Sequence, residues 1–422
     1  MGKYLAAALM LLAAASLTAP PTAREQLATL RQQAKSANQS GDRQAYLQTV
    51  LRIQALLHDS PTAVEATARA YAAIGDTANA LHALNTFADQ GQTDDRLLNP
   101  NESTFSALHN LPEYKSILDH LARNNTPISR ATEAFPLPDS NLVAEDITYD
   151  PQSKSFLITS ILQKKIIRAP LDGQATDFAQ SPDHWPMLAI KADPARNLLW
   201  ATEVALDGFT AASRPDWGRS AILSFNLKTG VLLHRIEGPA HSALGDMAIT
   251  HNGTPIVSDN LNGSIYKLAA NHLDPINTTD FISPQTPAML PDGEHAFVPD
   301  YLRGIGILNL KDGKVIWLNQ NGKTALSGID GLYLAKGSIL ITQNGTTPER
   351  VIRLQLDSTL TQVVSEDVIE RATPTLGDPT HGVIVGSYFY YIANSGWSEL
   401  DAHGDVIPGS KLTPAHIMRF AL

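Results

Sequence analysis

Apolar and polar residues alternate in a phrase that recurs along the chain from residue 145 onward. An acidic or small residue opens a short apolar alternation, a polar turn follows, and a second alternation ends in polar residues. The phrase reads EDITYDPQSKSFLITS over Glu145–Ser160 and GDMAITHNGTPIVSDN over Gly245–Asn260. It returns as TPAMLPDGEHAFVPDY over Thr286–Tyr301 and DGLYLAKGSILITQNG over Asp330–Gly345, with looser copies over Met187–Glu203 and Pro379–Ser395. Alternation with a period of two predicts half-buried strands. One small sheet of this kind cannot bury both faces, whereas a closed ring of sheets can. The copies therefore predict a mainly β protein, a six-bladed β-propeller over 131–422. Outer strands are predicted at Ala221–Asn226 with Val231–Ile236 and at Ile305–Leu310 with Val315–Leu318, each pair joined by a Gly-containing turn. Ala131–Leu137 and His416–Leu422 also alternate, so the two chain ends should share a blade and leave no open edge.

Between residues 24 and 125 the period changes. Leu27, Leu30, Ala34, Leu47, Val50 and Leu51 recur at helical spacing, and Gly41-Asp42 and Gly75-Asp76 stand 34 residues apart. With Ala70, Tyr71, Ala80 and Phe87 at packing positions, this stretch resembles the tetratricopeptide repeat. The resemblance implies an N-terminal α-helical domain that engages a protein partner. A Pro- and Asn-containing junction over 126–138 leads into the propeller.

At the N-terminus, Lys3 precedes an apolar run from Leu5 to Leu17, followed by small residues and prolines. This is the pattern of a signal peptide, expected over 1–23, and the run falls short of the roughly 20 residues a permanent anchor needs. The expected location is periplasmic or secreted. The chain has no cysteine, which excludes disulfides and thiolate chemistry. A net charge of -10 without a basic cluster argues against nucleic acid as a partner.

Aligning the copies places Glu145, Leu188, Gly245, Thr286 (or Gln285), Asp330 and His381 at the opening of successive inner strands, around the axis. A second set closes the following strands: Ser160, Glu203, Asp259, Asp300, Gln343 and Asn394. Acidic and amide side chains gathered at one end of a ring suit a hard cation or a polyhydroxylated ligand. Glu203, Asp259, Thr286, Gln343 and Asn394 are accordingly the candidate ligand-binding residues. His381 is a candidate base, because a neutral imidazole facing the axis can take a proton. An insertion between Asp207 and Arg219 carries Phe209, Arg214 and Trp217, and reads either as a lid over the axis or as a packed loop. The chain contains no P-loop, H-E-x-x-H or G-x-S-x-G sequence.

The phrases AEDITYDP, GDMAI, DGLYL and YYIANSGW resemble the gluconolactonase/senescence-marker-protein family over 131–422. That resemblance implies a divalent cation, calcium or zinc, at the axis, held by Glu145 and Asp330 as metal ligands. It also implies an Asp beside the metal handling the proton in lactone hydrolysis, for which Asp300 is the candidate. The family's two Asn ligands fall on Gly245 and on Thr286 or Gln285, so the implied cation would be weakly held. Two functions are expected from this constellation. One is an exported module binding a small polar ligand at the mouth, and the other is a metal-dependent lactone or ester hydrolase.

Overall fold

The computed structural model describes residues 20–172, 174–319 and 321–422. The expected signal peptide lies outside the described residues except for Pro20–Ala23. Six sheets follow the helical region. Blade 1 runs Ala144–Asp150, Ser155–Ser160, Lys165–Pro170 and Thr176–Gln180 from axis to rim. Blade 2 repeats this with Met187–Asp193, Leu198–Ala205, Arg219–Asn226 and Leu232–Glu237. Blade 3 has Leu244–Ile249, Pro255–Asp259, Ser264–Ala269 and His272–Asn277. Blade 4 has Ala288–Met289, His295–Asp300, Gly304–Asn309 and Val315–Trp317. Its inner strand is short because Pro287 and Pro291 flank it and neither can donate to a ladder.

Blade 5 contains Ile329–Ala335, Ser338–Gln343, Arg350–Leu356 and Val363–Arg371, and it gains a fifth strand, Ile128–Ser129, that the alternation did not indicate. Blade 6 closes the ring. Its inner strands are Gly382–Val385, Tyr388–Ile392 and the C-terminal His416–Ala421, and its outermost strand is Thr132–Pro136 from the junction. The chain ends thus share a blade, as the alternation predicts. Blade 6 packs on blade 1 through Phe156, which meets Tyr390 at a ring-centroid distance of 4.9 Å beside buried Ile147, Ile158 and Ile417. Each such side chain contributes on the order of 2 kcal/mol on burial.

The helical region contains α1 (Ala23–Ser40), α2 (Arg43–Leu56), α3 (Pro61–Ala73), α4 (Thr77–Asp89), α5 (Asp95–Leu98) and α6 (Pro112–Asn124). Gly41 takes a left-handed conformation just past α1, and Asp42 caps α2 by accepting from Ala45 N. Asp76 caps α4 in the same way. Val64, Ala68, Ala80, Leu84 and Phe87 form the core of this region with Tyr114 and Leu121 of α6.

The helices brace blades 4 and 5. Ala23 N donates to Thr279 O at 2.8 Å, Thr93 N donates to Thr347 O at 2.6 Å, and Arg303 Nε donates to Leu56 O at 2.9 Å. The central clamp is Arg350, 1% exposed, which donates to Gln343 Oε1 at 2.7 Å and to Gln90 O at 3.3 Å. It also pairs with Glu366 at 3.3 Å. Gly91 is required beside it, because a Cβ there would lie 2.4 Å from the guanidinium and the backbone φ is +76°. Replacing Arg350 by Met leaves Glu366 and Gln343 without their cation, and should cost about 3–5 kcal/mol. Urea unfolding should show that loss, and trypsin should cut faster at Arg123 or Arg130 as the brace loosens. Unchanged stability and cleavage would show that the clamp does not hold the two regions together.

Candidate functional site

Four of the six inner strands do not begin as regular β-structure. Register shifts occur between Ala144 and Ile147, Met187 and Ile190, Leu244 and Asp246, and Ile329 and Gly331. A bulge adds one residue to one strand, so successive side chains stop alternating across the sheet. A hydroxyl on the next strand satisfies the displaced backbone. Thr159 accepts from Asp146 N at 2.9 Å and donates to Leu188 O of blade 2 at 2.6 Å. Thr342 accepts from Gly331 N at 2.9 Å and donates to Thr380 O of blade 6. Ser258 reaches Gln285 O at 2.8 Å. The recurring Thr or Ser near the end of the phrase is therefore a stitch between blades.

The bulges deliver a charged cluster to the axis. His381, 1% exposed, places Nε2 2.7 Å from Asp246 Oδ1 and Nδ1 2.9 Å from Glu145 O. Thr286 Oγ1 donates to the same Asp246 oxygen at 2.6 Å. Both imidazole nitrogens thus face oxygen acceptors, an arrangement that requires the doubly protonated ring. Burial opposes this charge, but Asp146, Asp330 and Asp246 outweigh it and hold His381 well above the ordinary histidine range. Asp146 itself accepts from Ile190 N at 2.8 Å and from Lys191 Nζ at 2.5 Å.

Above this layer lie carboxyl groups with neutral partners. Glu145 accepts from the Trp397 indole N–H. Asp330 accepts from Asn344 Nδ2 at 3.0 Å, and Asn344 in turn accepts from Tyr301 OH at 3.0 Å. Asp378 accepts from Ser398 N at 3.1 Å and Ser395 Oγ at 3.2 Å, while Glu349 accepts from Asp378 N. Among the described residues none of these four carboxyl groups makes an ion pair with Lys or Arg. Burial, partly offset by His381 and reinforced by neighbouring carboxylates, pushes Glu145 up to about 8 and Asp330 up to about 7. Burial likewise pushes Glu349 up to about 7.

A lid roofs this mouth over Glu145. The blade 2 insertion meets the blade 6 loop, with Thr210 N donating to His403 O at 2.9 Å and Thr210 Oγ1 to Asp405 Oδ1 at 2.7 Å. Phe209 stands 6.0 Å from Trp397, and Val143, Leu188, Val204 and Leu400 form a buried cluster with them. The insertion is therefore both a packed loop and a cover.

Of the residues singled out in the sequence, Glu145, Thr286, Asp330 and His381 come together at the axis. The second set does another job. Asp300 accepts from Ile282 N, Ser283 N, Leu302 N and Arg303 N. Asp259 accepts from Ala243 N, Leu261 N and Asn262 N. Glu203 holds Ser181 and Arg235, Gln343 donates to Ala325 O and Ser327 O, and Asn394 binds Pro414 O and His416 N. Four of these side chains fasten main-chain segments to blade ends and Glu203 ties Ser181 and Arg235 side chains there, so their oxygens and amides are spent on the fold. The assignment of Asp300 as a proton carrier and of the other four as ligand contacts is corrected accordingly. His381 is also corrected as a base, because both of its nitrogens already donate. Sequence reasoning missed Asp146, Lys191, Tyr301, Asn344, Glu349, Asp378 and Trp397. Only the insertion's aromatic content hinted at a cover, and Trp397 carried no repeat signal.

The divalent cation implied by the family resemblance does not fit these residues. Among the described residues no group of three or more His, Asp or Glu side chains is arranged to hold a metal ion. A cationic imidazole stands among the carboxylates instead. At Gly245, where the family carries an Asn, the Asn260 amide fills the space, 2.4 Å from where a Cβ would stand. Asn260 Oδ1 is left buried without a partner.

No family model and no curated protein matches the chain. Among solved structures it is similar to a PQQ-bound aldose sugar dehydrogenase from Streptomyces coelicolor, at 13% identity and a TM-score of 0.49, over 70% of this chain and 100% of that one. It is also similar to regucalcin, a calcium-binding protein from Agrobacterium tumefaciens, at 17% identity and a TM-score of 0.46, over 70% and 93% of the two chains. A putative gluconolactonase shares 16% identity at a TM-score of 0.47, over 69% and 92%. Likeness at this level assigns no activity.

The raised carboxyls set a direction for stability against pH. Glu145 and Asp330 bind protons more tightly folded than unfolded, so their stabilisation is complete below about pH 4. It is lost as pH rises through about 7 and about 8, where the folded groups ionise. Urea unfolding of the wild type should weaken over that window, and Glu145→Gln should flatten the decline and be the more stable protein above it. Parallel curves for the two proteins would contradict the burial argument.

Proposed function

We propose that this chain is an exported binding protein whose axial mouth takes a small polar ligand bearing a positive charge, such as an organic ammonium. One observation carries the reading. Glu145, Asp330, Asp378 and Glu349 converge on the mouth without a Lys or Arg partner, and His381 below them is already committed to Asp246. A ligand cation would supply the missing charge, and the Trp397 ring beside Glu145 offers a face for it. The unpartnered Asn260 Oδ1 adds an acceptor for a ligand N–H or O–H.

Calorimetry with choline and its uncharged isostere 3,3-dimethylbutan-1-ol tests the charge requirement. Choline should bind and the alcohol should not, with affinity rising between about pH 6 and 9 as the carboxyls ionise. Glu145→Gln and Asp330→Asn should each weaken binding about tenfold, which is ~1.4 kcal/mol. Millimolar calcium or zinc should leave the isotherm unchanged. Equal binding of choline and the alcohol would overturn the proposal.

Hydrolysis of a lactone or carboxylic ester is a second reading, and a specific observation favours it. Glu145, held protonated to about 8, can donate a proton at neutral pH beside the more acidic Asp330 at about 7. Under that reading wild type would consume glucono-δ-lactone faster than buffer does, and Glu145→Gln would not.

Export rests on the N-terminal pattern of charge, apolar run and small residues. The capping box between Thr22 and Glu25 and the Ala23–Thr279 bond need Thr22 in the mature protein. This moves the expected cleavage from after Ala23 to before Thr22, so mass spectrometry of protein recovered outside the cytoplasm should find a start between Pro20 and Thr22. Full-length protein confined to the cytosol would refute it.

A further inference from the structure

The axis holds a second chamber, which borders the cluster around His381 at Thr286 and Lys191 and extends away from the mouth. It is a cavity of about 310 Å³ lined by residues later in the inner strands than those at the mouth, among them Lys191, Ile249, Met289, Tyr333, Leu334 and Ile384. Because the inner strands run away from the mouth, the chamber lies toward the opposite end of the ring. Ile249, Met289, Leu334 and Ile384 are all partly exposed and make its wall apolar.

Its polar groups have donors to spare. Lys191 carries three N–H bonds and gives one to Asp146 Oδ2 at 2.5 Å, with the side chain 18% exposed. Tyr333 OH accepts from Gly382 N at 2.7 Å, and its own O–H meets no acceptor among the described residues. Burial pushes this phenol well above its ordinary range, so it stays a donor. The Thr286 hydroxyl is spent on Asp246. Charge in this layer is balanced, with Lys191 facing Asp146 and His381 facing Asp246. Unspent donors in an apolar sleeve of balanced charge call for an acceptor without a charge.

We infer that this chamber is a second binding site, for an uncharged apolar molecule ending in a carbonyl oxygen, with the oxygen at Lys191 and Tyr333 and the tail between Ile249, Met289, Leu334 and Ile384. The cavity lies at the lower end of the ~300–1,000 Å³ range of small-molecule sites, which suits a compact ligand.

Nonan-2-one and nonanoate, of equal chain length, are the probes, titrated into the full chain by calorimetry with choline titrated separately into the same preparations. The ketone should bind one to one and more tightly than the carboxylate. Tyr333→Phe and Lys191→Met should each weaken the ketone about fivefold. Leu334→Trp and Ile384→Trp, which fill the sleeve from two different blades, should abolish ketone binding while choline binding stays as in wild type, a separation that keeps this site's outcome independent of the mouth's. The inference is overturned if the ketone fails to bind wild type, if nonanoate binds more tightly, or if either Trp variant with wild-type thermal unfolding binds the ketone normally.

Discussion

A cationic imidazole buried at the centre of the ring sets the terms for everything around it. His381 is out of water, so its charge persists only because Asp246, Asp146 and Asp330 surround it and because both nitrogens have oxygen acceptors. It neutralises the lower layer of carboxylates and leaves the upper layer short of positive charge. Burial, only partly offset by His381, makes Glu145 and Asp330 weak acids. The imidazole also separates this site from one organised around a divalent ion, since the resident charge is covalently part of blade 6.

The fold supplies what such a cluster requires. Bulges at the inner strand starts aim neighbouring residues inward, and the Thr159 and Thr342 hydroxyls tie the bulges of blades 1 and 5 to the next blade, holding their side chains in place. The lid from the Phe209 and Trp397 loops excludes water above Glu145, which strengthens every electrostatic interaction below it. The helical region holds blades 4 and 5 through Arg350 and Arg303, so the loops that carry Tyr301, Asn344 and Glu349 are braced from outside.

Most of the fold was legible because a repeated strand phrase is a direct record of repeated burial. The closing strands at Thr132–Pro136 and His416–Ala421 alternate by the same rule. The added strand at Ile128–Ser129 was not legible, since two residues carry no periodicity. At the site, repeat alignment located Glu145, Thr286, Asp330 and His381. It misread Asp259, Asp300 and their equivalents, because a polar residue that recurs in every blade serves what every blade needs, a fastened loop. Asp146 and Asp246 stand next to inward positions, where a regular strand would turn them to the opposite face, and a bulge cancels that rule without marking the sequence. Trp397, Asp378 and Glu349 come from loops whose paths depend on tertiary contacts alone.

The protonation state of His381 tests the account most directly. Nitrogen-15 NMR of the imidazole, assigned by comparison with His381→Gln, reports each ring nitrogen separately. The arrangement of Asp246 and the Glu145 carbonyl predicts both nitrogens protonated at pH 8, above the ordinary range of histidine. A neutral ring with one unprotonated nitrogen at that pH would contradict it, and with it the assignment of the axial charge to His381.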